Sequence, residues 1–174
     1  MEELGAVDRL TADAVGEPGM RTFYLQATAG DRTVTIVVEK QQVQLLAASI
    51  LELLASLDLE TGMGPGEEEM SLVEPLEADW RAGRLSIGYE EDPGLFVLEV
   101  EEYVPELEDD DDPRSILADE PRRLRLRATR EQMMALSRHG AAIAERGRPL
   151  CQFCGNPMNP EGHTCPAMNG HSKA

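Results

Sequence analysis

Early in this chain the spacing of apolar residues changes from every second position to every third or fourth. The change follows TFYLQATAGDRTVTIVVEK, residues 22–40. TFYLQAT is rich in β-formers, AGD supplies a turn, and Val34, Ile36 and Val38 then alternate on one face, so the stretch predicts a β-hairpin. Val43, Leu46, Ile50, Leu53 and Leu57 come next and share one helical face, which predicts a helix from about Gln41 to Leu57. In GRLSIGYEEDPGLFVLEVEEYV (83–104), Leu85, Ile87 and Tyr89 alternate, EDPG turns, and Phe96, Leu98 and Val100 alternate again. This predicts a second hairpin. RRLRLRAT (122–129) predicts a fifth strand, with Leu124, Leu126 and Ala128 inward and Arg123, Arg125 and Arg127 outward. Thr129 and Gln132 in TREQ form a capping box that opens a second helix, ended near Arg146 by Gly147 and Pro149.

The expected order is therefore β-β-α-β-β-β-α. Consecutive strands with short turns pair antiparallel. Two helices on one face give an α+β sandwich, assigned to residues 1–148. Two stretches interrupt it. ETGMGPGEEEM (60–70) reads as a loop, from its two Pro/Gly turns and its Glu run. The acidic insert at about 105–121, PELEDDDDPRSILADEP, has almost nothing to bury and is expected to be mobile. Its Asp109–Asp112 run lacks the glycine-directed spacing of a calcium loop.

All three cysteines fall in the last seventh of the chain, in CQFCGNPMNPEGHTCP, residues 151–166. Cys151 and Cys154 form a C-x2-C pair followed by Gly155, a spacing that lets one tight turn aim two thiolates at one ion. Cys165 adds a third sulfur. Zinc takes four tetrahedral ligands, and His163 sits two residues before Cys165, on the same side of an extended segment. His171, in the terminal NGHSKA, is the alternative fourth ligand. The expected set is Zn²⁺ on Cys151, Cys154, His163 and Cys165, closed and structural. A redox C-x-x-C opens a helix, whereas CGNPMNP excludes one. Residues 149–174 have few apolar side chains of any size, so this zinc-ribbon-like module is expected to fold only with its metal.

The formal charge is −17, from 33 Asp and Glu against 16 Lys and Arg among 174 residues. Such a surface repels phosphate backbones, which argues against broad nucleic-acid binding. No apolar run is long enough to span a membrane, and the N-terminal MEELGAVDRL lacks the apolar region of a secretory signal. A reducing cytoplasm is the expected location, where clustered cysteines bind metal. The Arg122, Arg123, Arg125 and Arg127 stripe is the one basic cluster, and its plain role is to pair with Glu99 and Glu101 on a neighbouring strand. The Gly-Glu-Pro-Gly of AVGEPGMRTF is a turn rather than a phosphate cradle, since a strand follows it and Glu17 repels phosphate. His139 is expected to be partly exposed on the second helix, with no acid beside it.

AVGEPGMRTFYLQA (14–27), VVEKQQVQLLA (37–47), GRLSIGYEED (83–92) and ERGRPLCQFCGNPMNPEGHTCPAMNGH (145–171) together carry a resemblance. They make the chain similar to the uncharacterised, mainly actinobacterial proteins grouped as domain of unknown function 3090. The resemblance implies that the cysteine-rich ending is native to the protein. It is compatible with Cys151, Cys154, His163 and Cys165 as ligands. Frequent encoding beside phosphatase-like and lipid-kinase-like proteins implies a phospho-metabolite or signalling setting. Three functions follow from the residues. The first is a binding or adaptor protein, not an enzyme, that meets another protein. The second is a small enzyme or regulator that binds a phosphorylated metabolite. The third is a nucleic-acid contact through the arginine stripe and the zinc module.

Overall fold

The computed structural model describes residues 1–105, 120–146, 151–155 and 165–166. The chain is α+β, with both expected hairpins, the fifth strand and both helices in place. In chain order the elements are β1 (Glu2–Ala6), β2 (Arg9–Val15), β3 (Thr22–Ala29), β4 (Arg32–Val38), α1 (Lys40–Ser56), β5 (Trp80–Glu90), β6 (Leu95–Glu102), β7 (Arg123–Ala128) and α2 (Arg130–Glu145). A 3₁₀ turn at Glu67–Met70 lies between α1 and β5. Thr129 caps α2 as expected: its hydroxyl accepts from the Gln132 amide, and the Gln132 side chain accepts from the Thr129 amide.

Two strands lie outside the expected order, β1 and β2. Among the described residues the sheet runs β1-β7-β6-β5-β4-β3-β2. The β1–β7 and β4–β5 pairs are parallel and the rest antiparallel. Only Val7 and Asp8 separate the two strands at opposite ends of this order. The Val7 amide bonds the Arg127 carbonyl at 2.9 Å, and the Asp8 amide bonds the Thr28 carbonyl at 2.7 Å. The sheet therefore curls until its two edges share one corner.

The alternation of each strand sorts its side chains. Val34, Ile36 and Val38 of β4, Phe96, Leu98 and Val100 of β6, and Leu124, Leu126 and Ala128 of β7 enter one core. Val43, Leu46 and Ile50 of α1 and Met133, Leu136 and Ile143 of α2 complete it. Each large apolar side chain buried this way contributes about 1.5–3 kcal/mol. The helices touch closely at Gly140, where a Cβ would meet Val43 Cγ1 at 3.2 Å.

The segment from Asp58 to Asp79 crosses from α2 to the opposite face of the sheet. Arg138 of α2 donates to the carbonyls of Met63 at 2.9 Å and Pro65 at 3.1 Å. Gly64 passes so near α2 that a Cβ would sit 2.2 Å from the Glu131 carbonyl oxygen, and its φ of +71° also favours glycine. Beyond the 3₁₀ turn the strap crosses β2, β3 and β4 on the face turned away from the helices. Thr11 donates to the Met70 carbonyl. Gln26 donates to the Thr35 hydroxyl and the Val73 carbonyl, both at 3.0 Å, and accepts from the Val73 amide at 2.7 Å. Asp79 closes the strap on Thr35, its amide donating to the Thr35 carbonyl and its carboxylate accepting from the Thr35 amide. The stretch 60–70 is thus a loop that ends buried, with Met70 only 1 % exposed. Residues 106–119, most of the acidic insert, lie outside the described residues.

Candidate metal centre

Residues 151–155 form a turn closed by the Gly155 amide on the Cys151 carbonyl at 2.8 Å, and Gly155 takes a φ of +75°. This is the local geometry that C-x2-C-G predicts. It brings Cys154 back towards Cys151, and Cys165 arrives from 14 residues away. The three sulfurs all lie within 4.8 Å of one another, an arrangement that can hold a metal ion. Cys151 and Cys165 are buried, Cys154 is half-buried, and none is in a disulfide.

The distances discriminate between chemistries. The Cys151 and Cys165 sulfurs stand 3.7 Å apart. A disulfide requires about 2.05 Å. Two thiolates bound tetrahedrally to one zinc, each at about 2.3 Å, stand about 3.8 Å apart. The Cys151 thiol is also pulled down to about 6, chiefly because the backbone amides of Cys154 and Phe153 donate to its sulfur. Those donors stabilise the thiolate, and the thiolate is the metal ligand. His163 and His171, the expected and alternative fourth ligands, lie outside the described residues, so the structure places three of the four residues in the expected set.

The other candidates resolve into a ladder and a buried cluster. Arg123 lies 3.2 Å from Glu101, and Arg125 lies 3.5 Å from Glu99. Arg127 meets Glu90 at 2.9 Å and Glu3 at 3.4 Å. The arginine stripe is therefore committed to glutamates, Arg123 and Arg125 to those that the β6–β7 register sets opposite them and Arg127, opposite Val97, to Glu90 and Glu3 on other strands. A polar hollow of about 230 Å³ on this face is lined by both signs, Arg84 and Arg123 with Glu99 and Glu101.

His139 corrects the expectation drawn from its helix alone. It is only 5 % exposed and stands between two carboxylates. Its Nδ1 is 2.9 Å from Glu67 Oε2, in the 3₁₀ turn, and its Nε2 is 3.6 Å from Asp13 Oδ2 on β2. The Asp13 carboxylate, with Glu67 adding to it, raises the His139 pKa against the cost of burial. Asp13 is lowered in turn. Its own burial opposes that shift, but His139, the Ala14 amide and the charge of Arg146 outweigh it. No local signal in sequence marks this cluster, because its members come from three distant elements.

No helix among the described residues is long and apolar enough to cross a membrane. Neither the curated proteins nor the solved structures yield a match to this chain. A family model does match, over residues 3–165, a span that includes the curled sheet, both helices and all three cysteines. The chain belongs to that family, described as protein of unknown function (DUF3090).

Proposed function

We propose that the protein is a cytoplasmic adaptor that binds another protein and carries a structural zinc. In this reading, residues 1–148 form the binding domain and residues 149–174 form a module that zinc holds together. Cys151, Cys154 and Cys165 are ligands and His163 is the fourth. The observation that supports it is the 3.7 Å separation of the Cys151 and Cys165 sulfurs, with Cys154 inside the same cluster. Three thiolates and one imidazole satisfy zinc and leave no position open for substrate.

The other two readings have less to rest on. Nucleic-acid binding needs uncommitted cations, and Arg123, Arg125 and Arg127 each face a glutamate. A phosphorylated metabolite needs the same, and in the hollow beside Arg84 and Arg123 the latter is paired with Glu101 and the unpaired Arg84 stands among Glu99 and Glu101.

Metal analysis of the purified protein tests the centre. One zinc per chain is expected, lost in Cys151→Ser and in His163→Ala but kept in His171→Ala. Chelation is expected to unfold the terminal module while the far-ultraviolet signal of the sheet and helices persists, because the latter have their own core. Protein prepared without loss of metal that contains none overturns the centre. Loss of zinc in His171→Ala with retention in His163→Ala transfers the fourth ligand to His171. Affinity capture with mass spectrometry, run on metal-loaded and chelated protein, tests the adaptor role.

A further inference from the structure

β5 has two different neighbours along its length. Its first two residues pair with β4, Trp80 with Ile36 and Arg81 with Val37. From Ala82 onwards its pairing is with β6 alone. β4 ends at Val38, and α1 occupies the place where it would continue. Gln42 of α1 covers the first part of the vacated edge, its side-chain amide donating to the carbonyls of Ala82 and Gly83 at 3.3 Å each. Beyond Gly83, no strand among the described residues lies on that side. Alternate residues of such an edge turn their N–H and C=O groups outward, ready to pair with another chain.

The space beside this edge is a groove. A hollow of about 290 Å³ lies between α1 and β5, walled by Leu45, Leu46 and Ser49 on the helix and by Arg84, Leu85 and Ile87 on the strand. Leu45 is 61 % exposed, a large apolar side chain on the helix surface. Proteins blunt exposed edges with prolines, bulges and charges. The LSIGY stretch from Leu85 to Tyr89 has no proline and no charge. Charge collects instead at one end. Arg84 is exposed, and its guanidinium has no hydrogen bond or ion pair among the described residues. Arg81, three residues earlier on the strand, is paired with Glu39 at 3.4 Å. The N-terminus of α1 adds no further positive field, because the Glu39 carboxylate caps it. Glu52 continues the Leu45–Ser49 stripe at the other end. The groove is thus apolar along its walls and offers one unpaired cation, the Arg84 guanidinium, at one end.

We propose that this groove binds an extended peptide segment of another protein, added as a strand alongside residues 84–89 of β5. Alternate apolar side chains of the peptide seat against Leu45, Leu46, Leu85 and Ile87, and a carboxylate on the peptide pairs with Arg84. The main-chain bonds of the open edge supply affinity, and the apolar wall and Arg84 supply selectivity. The inference rests on the adaptor reading for the existence of a protein partner. It is independent of the metal.

Panning a phage library of random dodecapeptides against the metal-loaded, full-length protein provides the test. Enriched peptides are expected to alternate apolar residues and to carry an acidic side chain or a free C-terminus at one end. The best of them, labelled and titrated by fluorescence polarisation, is expected to bind Leu45→Glu at least roughly tenfold more weakly. Arg84→Glu is expected to reverse the preference towards a basic residue. Both positions are exposed, so unchanged melting temperatures separate lost binding from lost fold. Hydrogen exchange is expected to slow at β5 amides when the peptide is present. The proposal is overturned if nothing is enriched above an unrelated acidic protein, or if the selected peptide binds both variants as it binds wild type. It is also overturned if sedimentation finds a dimer that Leu45→Glu converts to monomer, since the occupant is then a second copy. Cellular partners captured equally by wild type and Leu45→Glu leave the adaptor reading standing and remove the groove from it.

Discussion

On the face of the sheet turned away from the helices, β2, β3 and β4 present Thr11, Gln26 and Thr35, whereas β5, β6, β7 and β1 present arginines and glutamates. The first set is buried: Thr11 and Thr35 are 3 % exposed and Gln26 is 2 % exposed. The second set lies open, with Glu101 and Arg123 side chains 40 % and 53 % exposed. The difference follows from what covers each half. Uncharged side chains with both donors and acceptors can dock a backbone, and the strap from Asp58 to Asp79 uses them in that way. A charged ladder satisfies itself across strands and asks for no cover. Polar groups that are buried carry high stakes, since each one left unpaired costs its full desolvation. Exposed ion pairs carry low stakes.

Gln26→Leu is the sharpest way to break this contrast. It removes three hydrogen bonds and leaves the Val73 amide and carbonyl without their partner. The expected cost is about 3 kcal/mol. For a chain of this size that corresponds to a melting temperature lower by about 6–12 °C. Calorimetry at neutral pH measures it. A change under about 2 °C would mean that the strap is not anchored there.

His139 sharpens the comparison at the point where the strap leaves α2. It ties Glu67 of the 3₁₀ turn and Asp13 of β2 to the helix. A histidine whose folded pKa is raised gives stability that is fully present below its unfolded value of about 6.5 and is lost as pH rises through the folded value. Asp13 is lowered, so its contribution is present above its unfolded value and is lost as pH falls through the folded one. The clamp is therefore strongest on the mildly acidic side of neutrality. The melting-temperature advantage of wild type over His139→Gln is expected to shrink between about pH 6 and about pH 9. An advantage that grows over that interval would show that His139 acts as a neutral packing residue.

The same contrast explains what could be read from sequence. The hairpins and the fifth strand were legible because one face of each is apolar and the other is not: Leu124, Leu126 and Ala128 against the arginines of β7. α1 was legible from its three- and four-residue spacing and α2 from its capping box and the Gly147 and Pro149 beyond it, each within one residue at its ends. β2 was hidden because its alternation is carried by small residues, Ala12 and Ala14 after Leu10, with Asp13 between them, and alanine and aspartate are poor β-formers. β1, EELGA, is short and poor in β-formers. Its pairing with β7 is set by the curl of the whole sheet. The cysteine cluster was legible because metal chemistry imposes its spacing on the chain locally. The clamp was not, because His139 and Glu67 are 72 residues apart and nothing in either neighbourhood requires the other.

The ladder supplies the smallest expected effect. Glu101 faces Arg123 at 3.2 Å across β6 and β7, and both side chains are well exposed. An exposed pair of this kind contributes about 0.2–1 kcal/mol, since holding two long side chains in one geometry offsets most of the attraction. Glu101→Gln is therefore expected to lower the melting temperature by no more than about 2–4 °C. At about 1 M salt the screening length falls to about 3 Å, and the difference is expected to disappear. Gln26→Leu should keep its full effect in the same salt, because its lost bonds are buried and uncharged. If instead Glu101→Gln matched the loss in Gln26→Leu and persisted in salt, the open half of the sheet would be closed in solution, and the two faces would no longer differ in kind.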